Sequence, residues 1–174
     1  MLHYITKTLF ILTLLHATLL AQTINIDKIV QTAQQSNKSV ILYFHRIGCS
    51  YCNSMQEFTL DDDDVKEYIK KNYTLIKINV SIKDTITYKG KVSAGLCLAK
   101  RVNYNFYPST LFLDYKGNIA YATVGYKNES DFMVILKYYK SGSYKKQTLK
   151  EYKLSIHYTK NNSDEIKDTR KHVR

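Results

Sequence analysis

The stretch "YFHRIGCSYCNSM", Tyr43 to Met55, carries two of the chain's three cysteines, three positions apart. Such a pair serves as a metal clamp, a structural staple, or a couple that makes and breaks a disulfide. The surroundings bear on the choice. Upstream, "SVILYFH" (Ser39 to His45) is a continuous β-branched and aromatic run, the pattern of a buried strand. Downstream, "CNSMQEFTL" puts Met55 and Phe58 on one helical face, so Cys52 begins or lies within a helix.

A strand-to-helix junction has chemical consequences. A helix N-terminus exposes unpaired N–H groups and a partial positive charge. Both favour thiolate over thiol, lowering a cysteine pKa from ~8.5 into the range ~3.5–7.5. Cys49 is therefore expected to be the nucleophile. Cys52, a turn inside the helix, is expected to resolve the mixed disulfide.

Outward from the pair the chain alternates. "INIDKIVQTAQQ" (Ile24 to Gln35) has helical spacing, and Tyr73 to Ile82 reads as a second strand. Between them "DDDD" (Asp61 to Asp64) precedes an apolar-periodic run. It reads as a capped, solvated helix start, because the ligand alternation and glycine of a calcium loop are missing. Lys83 to Val92 reads as an exposed excursion with a turn at Lys89–Gly90. Val92 to Asn103 contains a short helix, Thr110 to Asp114 and Ile119 to Val124 are strands, and Glu129 to Tyr139 is an amphipathic helix. Helices and strands that alternate and then end in a hairpin predict an α/β fold, a central mixed sheet flanked by helices. Pro108 is the chain's one proline and stands just before a core strand, where a cis bond after Tyr107 would turn the backbone toward the cysteines.

The 174 residues suit one domain, and 44% are hydrophobic, including 16 Tyr and 6 Phe. Net charge is +11, with no basic stripe interleaved with aromatics, so nucleic-acid binding is not expected. Residues 1–21 have the layout of a secretory signal peptide: one Lys, an apolar run from Leu9 to Leu15, and Ala21 as the expected cleavage site. An uncleaved N-terminal membrane anchor is the alternative. The domain is expected over 22–142. Residues 143–174 form a basic extension that reads as disordered from about Lys160.

These residues resemble the thioredoxin superfamily, and within it exported, SoxW-like thioredoxin-related proteins. Val40 to Val80 resembles their strand, site, following helix and second strand, and Lys91 to Tyr139 their later helix, proline strand, hairpin and last helix. The resemblance implies a thioredoxin fold and an exported, periplasmic thiol–disulfide oxidoreductase that reduces or isomerises disulfides. It implies Cys49 as nucleophile, Cys52 as resolving thiol, and Tyr107 with cis Pro108 against the substrate. The partners implied are protein thiols and disulfides and a membrane electron-donor thiol protein. No cofactor is expected beyond the Cys49–Cys52 disulfide, and no metal.

The chain departs from its relatives in several places. Ser50 and Tyr51 replace the Gly-Pro of ordinary thioredoxin between the cysteines. Tyr43 stands where thioredoxins keep a buried carboxylate, so Tyr43, water or a neighbour must take the Cys52 proton. His45 and Arg46 are expected to add positive charge beside the Cys49 thiolate. Cys97, between Leu96 and Leu98, reads as a buried structural cysteine. Two rival readings stand: a Cu(I) module using Cys49, Cys52, Met55 and His45, or an inactive scaffold that recruits partners through its basic tail.

Overall fold

The computed structural model describes residues 23–158. The expected signal or anchor segment and the tail beyond residue 158 lie outside the described residues.

Strand β2 (Ser39–His45) is the axis of the fold. It pairs in parallel with β3 (Tyr73–Asn79) and antiparallel with β6 (Ser109–Leu113), which pairs antiparallel with β7 (Ile119–Val124). The four-stranded mixed sheet runs β3-β2-β6-β7. Val40 to Phe44 are all buried, which is why this run is apolar on both faces. Alternation divides it. Val40, Leu42 and Phe44 face one core with α1 (Ile26–Gln35) and α4 (Gly95–Arg101). Ile41 and Tyr43 face the other, with Met55, with α3 (Asp63–Asn72) and with α5 (Glu129–Lys140). The expected α/β sandwich is what forms.

Side-chain caps set the helix starts. Asn25 caps α1, Asp62 caps α3 by accepting from the Val65 N–H at 3.0 Å, and Asn128 caps α5. The acidic run is thus a helix start, as its sequence indicates.

Residues 83–92 differ from expectation. A short strand β1 (Thr23–Asn25) pairs in parallel with β4 (Thr85–Tyr88), and β5 (Lys91–Ser93) completes a second, three-stranded sheet. The segment is no exposed excursion, because Ile86 and Tyr88, two apart on one face, are buried. Lys89 and Gly90 both have positive φ, the geometry of a tight hairpin turn, and Asp27 accepts from both their N–H groups at 2.8 Å.

Cys97 is exposed, which corrects the expectation of a buried thiol. Helix α4 turns Gly95, Leu98 and Ala99 to the core, leaving Leu96 and Cys97 outside. Phe58 is also exposed, although Met55 is buried. The helix after Cys52 loosens into a π segment, Met55–Leu60, whose wider turn buries Thr59 and Leu60 with Met55 instead.

After Gly142, a 3-10 turn (Ser143–Lys145) leads to helix α6 (149–158). Tyrosines attach this segment to α5: Tyr144 stacks on Tyr139 at 4.7 Å, and Tyr152 packs on Tyr138 at 5.2 Å. Among the described residues no helix is long and apolar enough to cross a membrane.

Candidate active site

Strand β2 ends at His45, and the chain turns through Gly48, whose φ of 71° suits a residue without Cβ. Cys49 then caps helix α2 (Ser50–Ser54, continuing as the π segment). The Cys52 N–H donates to the Cys49 sulfur at 3.1 Å. The cysteines are joined in a disulfide, S–S 2.12 Å. Cys49 retains 9% of its surface and Cys52 none, so an incoming group meets Cys49 first.

Opposite stands the loop before β6. The Tyr107–Pro108 bond is cis, and the Tyr107 carbonyl oxygen lies 3.9 Å from the Cys49 sulfur. The β7–α5 connection fastens both halves of the site. The Gly125 N–H donates to the Pro108 carbonyl at 2.8 Å, and the Thr59 hydroxyl to the Lys127 carbonyl at 2.6 Å. A groove of about 370 Å³ opens over Cys49, with Arg46, Ser50 and Tyr51 on one side and Asn105, Phe106 and Tyr107 on the other. Tyr51 and Phe106 stand out as exposed rims, 67% and 70% accessible.

Two expected roles change. The Tyr43 hydroxyl donates to the Cys52 carbonyl at 3.2 Å, and burial pushes its pKa far up. It stays protonated and holds the helix start, and it is no acceptor for the Cys52 proton. His45 stacks on Tyr43, ring centroids 5.4 Å apart, and burial followed by the Lys77 charge lowers its pKa. The ring is therefore neutral at neutral pH, and the cation at the groove is Arg46. Among the described residues no group of three His, Cys, Asp or Glu side chains is placed to hold a metal; the Met55 sulfur of the rival copper set accepts from the Lys127 N–H at 3.5 Å, and its His45 packs on Tyr43.

Asn105 and Phe106 line the groove without having been picked out in the sequence. The signal was there: "NYNFYP" sets a large apolar side chain in a segment with neither helical nor strand periodicity.

A sheet of this order with a CxxC disulfide capping the helix after its central strand defines a thiol–disulfide oxidoreductase of thioredoxin fold. Residues 26–140 match the family described as Thioredoxin-like domain, and the chain belongs to that family. Solved structures agree on the fold. A thioredoxin-fold protein from Helicobacter pylori is 22% identical, with TM-score 0.57 over 78% of this chain and 99% of its own. A thioredoxin from Thermus thermophilus is 23% identical, with TM-score 0.51 over 67% and 84%. A DsbH oxidoreductase is 16% identical, with TM-score 0.52 over 67% and 81%. A comparison with curated proteins finds no match. These likenesses carry the family and the fold, and not the finer SoxW-like grouping.

Proposed function

We propose that the protein works outside the cytoplasm, reducing or isomerising disulfides in other proteins, with electrons supplied by a thiol protein of the membrane. Cys49 is the nucleophile and Cys52 the resolving thiol. Tyr107 and Pro108 present backbone to the substrate chain. The reading of export rests on the signal-like layout of residues 1–21. The observation that carries the chemistry is the asymmetry of the pair: Cys49 caps the helix and reaches solvent, while Cys52 is fully buried behind it. Thiol–disulfide exchange needs this arrangement, with one accessible thiolate to attack and a second thiol within bonding reach to release the product.

The test is insulin reduction in the presence of dithiothreitol, followed by turbidity. The unaltered protein accelerates precipitation and Cys49→Ser does not. Equal rates for the two would reject the function. Export is checked by fractionating cells that express the full chain: a shortened product outside the cytoplasm supports it, and a full-length cytoplasmic product rejects it.

A further inference from the structure

The groove over Cys49 is electrically lopsided. Among the described residues Arg46 is its one charged lining residue, and no carboxylate lines it. Arg46 is exposed and forms no salt bridge among the described residues. By contrast, Arg101 reaches the Tyr88 carbonyl at 3.5 Å. Tyr107 lines the other side of the groove, and its hydroxyl is out of water and has no hydrogen-bond partner among the described residues. Arg46 and Tyr107 line the same groove, and the Arg46 charge opposes the upward push of burial on the Tyr107 pKa.

A lone cation lining a cleft with apolar rims, here Tyr51 and Phe106, has its field focused into that cleft. A guanidinium also offers a fork of donors that matches a carboxylate. The geometry points to Arg46 as a specificity-determining residue, reading an Asp or Glu side chain beside the cysteine that Cys49 attacks, in a polypeptide segment laid along the groove. This rests on the oxidoreductase reading above. The exchange itself is unchanged. The Cys49 thiolate bonds to one substrate sulfur and the other leaves as thiolate. Cys52 then gives its proton to solvent, attacks the Cys49 sulfur and releases the second substrate thiolate. Two electrons pass to the substrate, and the pair ends as a disulfide.

The test uses the full chain, reduced with dithiothreitol and freed of it, in single turnovers with peptide disulfides that differ only in Glu, Gln or Lys beside the cysteine. The Glu peptide is expected to react about threefold to fivefold faster than the Gln peptide, and the Lys peptide slowest. High salt shrinks the spread. In Arg46→Gln the Glu and Gln peptides react alike. The ratio cancels any change in Cys49 acidity that the substitution brings. Equal rates for all three peptides with the unaltered protein overturn the inference while leaving the function intact, and so does a preference that survives Arg46→Gln. If glutathione disulfide is the one substrate that responds to Arg46→Gln, the groove reads a small anion and the polypeptide assignment falls. Failure to reduce any peptide removes the oxidoreductase reading, and this inference with it.

Discussion

The Cys52 N–H points at the Cys49 sulfur, 3.1 Å away, from the first turn of the helix that Cys49 caps. A thiolate on Cys49 accepts that same hydrogen bond and lies at the positive end of the helix. Cys52 has no comparable stabilisation, being buried within the turn. The division of labour between the two sulfurs follows from this.

Cys52→Ser is therefore expected to attack a substrate disulfide and stop, accumulating a protein joined through Cys49 to half of the substrate. Mass spectrometry of the quenched reaction reads the adduct. Cys49→Ser forms none at that position. An adduct of comparable yield through Cys52 in Cys49→Ser would reverse the assignment.

Tyr43→Phe removes a buried hydrogen bond to the Cys52 carbonyl and keeps the ring. The expected loss of stability is about 1 kcal/mol, measured by urea denaturation. Insulin reduction at neutral pH is expected to survive, because the raised pKa keeps this phenol protonated and out of proton transfer. A loss of activity by orders of magnitude in a folded variant would contradict that.

His45 gives the site a pH dependence of stability. Burial, and after it the Lys77 charge, lowers its pKa in the folded protein. As pH falls through about 6.5 the unfolded chain takes up the proton first, so it binds more protons than the native state. The contribution is full above that pH and declines below it until the folded ring is protonated too. Urea midpoints between pH 8 and pH 5 are expected to fall, and less steeply in His45→Gln. An identical slope in the variant would rule the histidine out.

Gly95 is where α4 touches the sheet. A Cβ there would meet the Ile78 Cγ2 at 2.9 Å, with the Asn79 carbonyl at 3.4 Å behind it. Gly95→Ala is expected to destabilise by about 1–3 kcal/mol, although alanine is the better helix former. A rise in melting temperature would show that the contact relaxes freely.

The sequence made the main sheet legible because β2 and β6 are buried on both faces and read as near-continuous apolar runs, while β3 alternates. Ser39–His45 and Ile119–Val124 fall where the pattern places them. The cysteine pair was legible through its place after such a run. The second sheet was hidden, because Thr85–Tyr88 is short and its flanking lysines look solvent-facing. The π segment hid the fate of Phe58, since spacing assumes an ordinary helix. Cys97 misled because its apolar sequence neighbours say nothing of which side of a short helix faces the core. Phe106 and Arg46, far apart in sequence, line the same groove, a relationship that no local periodicity encodes.

The measurement closest to the central claim is the rate of iodoacetamide modification of Cys49 against pH, in the reduced protein, with mass spectrometry assigning the site. The account predicts that Cys49 titrates well below an ordinary thiol, within ~3.5–7.5. A Cys49 that titrates near 8.5, like an ordinary thiol, would contradict it.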